Sequence, residues 1–182
     1  MKRFLSIVAV GLVLMGCTNE DLSDDVRNIL PDDLLNRFKE LGIQINGGNK
    51  PPNIEGKFDF SRVVVANSNF SGANSPGTRY QNTDLTFKKQ SIIDRTLECD
   101  IYYPDIYTLY ARDRPAYITG NGKKFSVFIE LSPYVHIFSG EIDSSGIYDL
   151  HWAYILTSGS SSTMNAGDGY LFKDEDGFSE KY

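Results

Sequence analysis

A chain of 182 residues with 41% hydrophobic residues, 11 Tyr, 11 Phe and a single Trp carries enough apolar and aromatic material for one domain of ordinary size, and far too much for a disordered polymer. Its 24 acids against 18 bases, a formal charge of −6, exclude a nucleic-acid role, because binding by phosphate neutralisation needs a basic surface.

At the N-terminus, Met1, Lys2 and Arg3 form a positive start, followed by an apolar run from Phe4 to Gly16. That run is shorter than the ~20 residues a spanning helix needs, so it reads as a secretory signal. Its last residues, Leu14-Met15-Gly16-Cys17, are similar to the lipobox of bacterial lipoproteins. The resemblance implies a signal peptide over 1–16, acylation of Cys17, a lipidated acidic tether over 17–29 and a folded domain over 30–182. Losing residues 1–16 removes two bases and no acid, so the mature chain carries −8 and has no attraction of its own for anionic lipid. The acyl chains must supply the membrane hold, at about 0.8 kcal/mol per buried CH₂. Glu20, Asp21, Asp24 and Asp25 read as a solvated tether. An acidic stretch behind the lipidated cysteine also resembles the surface-export signal of Bacteroidetes-type lipoproteins, which implies the outer membrane and exposure at the cell surface. With Cys17 acylated, Cys99 stands alone and forms no intramolecular disulfide; its alternating neighbours Leu97 and Ile101 make it a small buried hydrophobe.

Residues 31–42 carry helix signals: Pro31 at the start, Asp32 and Asp33 at the positive end, and Gly42 after the last apolar position. Leu34, Phe38 and Leu41 share a face that must dock, as a lid or plug on the main fold. Gly47, Gly48, Pro51 and Pro52 then form a loop, and from Phe58 onward the period changes to two. Strands are expected near 57–66, 83–90, 92–103, 106–111, 115–120, 123–131, 134–142, 147–157 and 169–173. An Asn121-Gly122 turn would pair Ile118 with Phe125 and Ala116 with Val127. A turn at Asp143–Gly146 with Ile142 opposite Ile147 would set Ile137 against Trp152, Val135 against Tyr154 and Ser139 against Leu150. It leaves His136, Phe138, Gly140, Asp149, His151 and Ala153 on the other face. Such a meander of about eight strands buries its apolar face by closing, which makes the fold class all-β: an antiparallel barrel with a short N-terminal helix.

Ile54-Glu55-Gly56-Lys57-Phe58, after a short helix and a Pro-Pro loop, is similar to the lipocalin entry motif Gly-x-Trp, with Phe58 in the Trp position. The wider pattern of Gly47 to Gly56, the Gly-Asn-Gly hairpin and Phe172 to Gly177 resembles lipocalin-like lipoproteins of Bacteroidetes. The resemblance implies a barrel that carries a ligand. The chain departs from the family in lacking the Trp, a C-terminal helix and a disulfide.

Other motifs resolve to structure. Gly120-Asn121-Gly122 is a hairpin, and Gly159-Ser160-Ser161-Ser162 lacks nucleophile-elbow spacing. His136 and His151 with Asp149 would share one outer face, a weak zinc arrangement, and Asp174–Gly177 lacks the ligands of a calcium loop. The sequence therefore assigns no catalytic residue, no metal and no cofactor. What remains is aromatic: Phe58, Phe60, Phe87, Tyr103, Phe125, Val127, Ile137, Trp152 and Tyr154 are either solid core or the lining of a cavity for a small, mainly apolar molecule. The alternative is a filled barrel acting as a structural or interaction module, whose Tyr-rich loops around Tyr102, Tyr103, Tyr107 and Tyr110 meet a glycan or an envelope protein.

Overall fold

The computed structural model describes residues 22–182; the expected signal peptide, Cys17 and the first part of the tether lie outside them. Two helices, α1 (Asp24–Ile29) and α2 (Asp32–Leu41), precede β1 (Asn49–Lys50), β2 (Gly56–Phe60), β3 (Val63–Ser68), β4 (Thr83–Ser91) and β5 (Thr96–Tyr103). A 3₁₀ turn at Pro104–Ile106 leads to β6 (Thr108–Asn121), β7 (Lys124–Leu131), β8 (Tyr134–Ile142), β9 (Gly146–Leu156), β10 (Gly169–Asp174) and β11 (Phe178–Lys181). Hydrogen-bonded neighbours run β2, β4, β5, β6, β7, β8, β9, β11 and back to β2, a closed antiparallel barrel of eight strands. Closure follows from the alternation: each strand offers one apolar row, and a ring of eight buries all the rows together while leaving no long edge unpaired. β3 and β10 continue β2 and β11 toward the same end and pair with each other, so the closing seam is extended upward.

Phe58, Phe60, Phe87, Cys99, Phe125, Val127, Phe138 and Trp152 fill the inside. Ile54, buried beneath them, closes the lower end, where Gln90 Oε1 accepts from its backbone N–H at 2.9 Å. The helix at 31–42 forms nearly as expected, with Gly42 as its left-handed stop at φ +96°. It is neither lid nor plug. Leu34, Leu35, Phe38 and Leu41 dock on the outside of the wall, against Phe128, Val135, Ile137, Ala153, Ile155 and Leu171. Nor is the tether solvated as far as residue 29: Ser23 caps α1, and Leu22 and Val26 join the same outer cluster. Below the helix, residues 43–50 strap the wall. Asn46 donates to Ser126 Oγ (2.8 Å) and Ser139 Oγ (3.0 Å) and accepts from Thr119 Oγ1 (2.7 Å), so three outward hydroxyls on adjacent strands are buried and satisfied.

Register departs from expectation in both hairpins. In the first, Gly122 (φ +64°) and Lys123 form the turn, which pairs Ile118 with Val127 instead of Phe125. The slip is two residues, so every side chain keeps its face. In the second, Ile142 does oppose Ile147, but a bulge sets Asp149 and Leu150 against Gly140. Asp149 takes φ +48°, and a Cβ at Gly140 would lie 2.7 Å from the Ile147 side chain. The extra residue shifts all pairs beyond it, setting Phe138 opposite Trp152 and His136 opposite Tyr154. The expected face is thereby corrected: Phe138 and His136 point inward, and Ile137 points outward.

The expected strands 106–111 and 115–120 are one strand, β6, with a bulge at Asp113 (φ +49°). Only its lower part, from Tyr117, pairs with β7; among the described residues Thr108–Ala116 has β5 as its sole strand neighbour. Pro115, which lacks a backbone N–H to donate, sits in that half-paired stretch.

Candidate functional site

At the upper end, where the 3₁₀ turn, the Ser132–Pro133 turn and the 157–168 loop gather, the interior changes from phenylalanine to tyrosine. Tyr103 ends β5, Tyr110 is the third residue of β6, Tyr134 begins β8, and Tyr154 and Tyr170 are paired residues of β9 and β10. Tyr80 comes from the 69–82 loop, fixed by its own N–H to Val63 O at 2.7 Å. The six rings form a cup whose floor is His136, Trp152 and Phe172. Ring centroids lie 5.4 Å apart for Tyr103–Tyr110, 5.6 Å for Tyr134–Tyr154, 5.9 Å for Tyr154–Tyr170 and 4.6 Å for Tyr80–Phe172. Such contacts are favoured by the ring quadrupoles.

His136 is the chemical centre. Only 1% exposed, it lies 5.9 Å from the Tyr110 ring, 6.2 Å from Tyr134 and 5.5 Å from Tyr154. Trp152 Nε1–H donates to its Nδ1 at 3.0 Å. An indole nitrogen can only donate, so Nδ1 is unprotonated and the neutral ring carries its proton on Nε2. Burial pushes the imidazole pKa down to about 3. Nε2, on the side of the ring away from Trp152, has no hydrogen-bond partner among the described residues. A buried donor left unsatisfied costs about 1–3 kcal/mol. The tyrosine hydroxyls stay neutral: burial first, and then one another's proximity, raise the Tyr80, Tyr103, Tyr110 and Tyr154 pKa values.

The half-paired part of β6 borders the tyrosine cluster. Between it and the β7–β8 turn lies a recess of about 410 Å³, lined by Tyr110, Ala111, Arg112, Arg114, Leu131, Ser132, Pro133 and Tyr134. Tyr110 and Tyr134 are the two tyrosines that flank His136 on that side, so the recess and the cup share a wall.

Of the nine expected lining residues, Phe58, Phe60, Phe87, Phe125 and Val127 lie in the packed lower barrel, each 0–1% exposed and in contact with its interior neighbours. Tyr103, Trp152 and Tyr154 reach the cup. Ile137 is corrected to the outer wall beneath α2, moved there by the bulge at Gly140. His136, Tyr80, Tyr134 and Tyr170 were not foreseen. Tyr134 is in phase with His136 and Phe138 on β8, and that phase was readable; the bulge that turns it inward was not. His136 and His151 do not share a face: His151 pairs with Ser139, outside, and its Nδ1 lies 2.8 Å from Asp149 O. Among the described residues no cluster of His, Cys, Asp or Glu is placed to hold a metal.

Fold and site together define an eight-stranded antiparallel barrel, solid below and tyrosine-lined above. Comparison with family models, with curated proteins and with solved structures finds no match to this chain.

Proposed function

We propose that the chain is a lipid-anchored envelope lipoprotein of the lipocalin-like kind whose tyrosine cup binds one small, mainly apolar molecule. The observation that carries the binding reading is the unpartnered Nε2–H of His136 at the floor of six tyrosine rings. An aromatic wall supplies contact area, and a few fixed polar groups supply orientation, the usual composition of a small-molecule site. The seat for the ligand is the cup and its side recess, since the lower barrel is filled by Phe58, Phe60, Phe87, Phe125 and Phe138. Anchoring rests on the lipobox resemblance at Cys17, and an outer-membrane position on the acidic residues behind it.

Trp152 is the only tryptophan and forms part of the cup floor, 5.9 Å from Tyr80 and 5.0 Å from Phe172, so its emission reports occupancy. The barrel, strap and both described helices lie within residues 22–182, so a chain beginning after Cys17 serves for titration. A neutral aromatic amine, N-phenylnaphthylamine, is expected to quench Trp152 saturably with one site per chain, and Tyr134→Ala is expected to weaken it. An unchanged Trp152 emission would favour the second reading, an interaction module. The observation behind that reading is the apolar rim of Ile106, Tyr107 and Leu109, of which Tyr107 is 87% exposed. Anchoring is tested separately: Cys17→Ala should move the protein from the membrane to the soluble fraction.

A further inference from the structure

We infer that the ligand of the cup carries an anionic group, and that the side recess between β6 and the β7–β8 turn seats this group against Arg112 and Arg114 while the apolar body lies among the tyrosines. The inference rests on the binding reading above and goes further by fixing the charge of the ligand and its route of entry.

Three observations converge. The wall is open at this place: β6 above Tyr117 has no hydrogen bonds to β7, and the recess of about 410 Å³ occupies the gap. Both arginines line it. In a chain with 24 acids and 18 bases these two guanidinium groups make no ion pair among the described residues.

The residue between them explains how they stay unpaired. Asp113 is bulged to φ +49°, its N–H donates to Asp100 Oδ1 at 2.6 Å, and its carboxylate lies 2.7 Å from Lys88 Nζ. Lys88 in turn holds Asp100 at 2.6 Å. The one carboxylate on this stretch is thus committed to a lysine of β4, and the bulge leaves its two arginine neighbours facing the recess. Guanidinium is suited to planar oxyanions such as carboxylate or sulfonate, which it can meet with two parallel N–H bonds. Tyr110 and Tyr134 line the same recess and lie 5.9 and 6.2 Å from the ring of His136, whose Nε2–H is a second group without a partner among the described residues. Cation outside, aromatic walls between and a neutral donor within describe an amphiphile that enters sideways, body first.

The test compares two probes with one aromatic body: anilinonaphthalene sulfonate, which is anionic, and N-phenylnaphthylamine, which is neutral. At low salt the sulfonate is expected to bind about tenfold more tightly, and added salt should erode that preference. R112Q/R114Q is expected to bring the two affinities within about twofold of each other, chiefly by weakening the sulfonate. Equal affinities in the unaltered chain, or a sulfonate preference that survives both salt and the double substitution, would overturn the inference and leave the cup reading standing. Failure of both probes to saturate, with Trp152 emission unchanged, overturns the cup and this inference together.

Discussion

Replacing Asp174 with Asn should convert a flat acid-stability profile into a steep one, because two buried groups titrate against each other. His136 has its pKa held down to about 3 in the fold by burial, against about 6.5 when unfolded. As pH falls below 6.5 the unfolded chain takes up a proton that the folded ring refuses, so stability is lost at about 1.4 kcal/mol per pH unit. Asp174 behaves in the opposite sense. Burial raises its pKa to about 7 despite the hydrogen bond from Ser179 Oγ at 2.9 Å, while the unfolded value is about 3.9. Below pH 7 the folded carboxyl is protonated first, and stability is gained at the same rate. Between about pH 7.5 and 4.5 the two contributions have opposite sign and similar size, so the pair nearly cancels. In Asp174→Asn the amide oxygen can still accept from Ser179, the compensating gain is gone, and the His136 loss appears alone, on the order of a few kcal/mol. The variant also starts from higher stability near neutral pH, having shed a buried charge. Urea unfolding followed by Trp152 emission at several pH values measures this directly. A variant whose stability stays constant over that range would refute the account of His136 as a neutral, buried imidazole.

Three further outcomes follow from the packing. Trp152→Phe should cost about 1–3 kcal/mol in chemical unfolding, because it deprives His136 Nδ1 of its only donor, and it should weaken N-phenylnaphthylamine binding. Gly146→Ala should destabilise the closing seam by about 1–3 kcal/mol and lower the thermal midpoint, since the added methyl would lie 2.3 Å from Ser179 O and 2.8 Å from the Phe178 ring. Cys99, buried and with its thiol pKa pushed up by desolvation, should react with an aromatic disulfide reagent only when the barrel unfolds; rapid modification of the native chain would contradict its position.

The barrel was legible because period-two alternation is a local property repeated along most of the chain. Leu85 and Phe87, Leu97 and Cys99, Phe125 and Val127 all face the side that the pattern assigns them. The helix was legible too, from Pro31, Asp32 and Gly42, but not its berth. Leu34 and Phe38 demand an apolar partner without naming it, and the outer wall offered Val135, Ile137, Ala153 and Ile155 on strands distant in sequence. β11 was missed because Phe178-Ser179-Glu180-Lys181 is too short and mixed to carry a period; it is a strand because β2 and β9 stand on either side of it.

The cup was the least legible part. Its tyrosines come from five strands and one loop, so their convergence depends on the register of the whole ring. One bulge decides its centre. Reading β8 and β9 in uniform register puts His136 outside and Ile137 inside, and one extra residue opposite Gly140 exchanges them. The amino-acid order by itself determined that the chain alternates, closes and keeps its aromatic residues inward, since these depend on neighbours within a few positions. Tertiary structure alone decided which ring stands beside which, where the wall parts above Tyr117 and why Arg112 and Arg114 face the gap. Those outcomes depend on bulges and strand ends, where backbone pairing between distant segments sets the geometry.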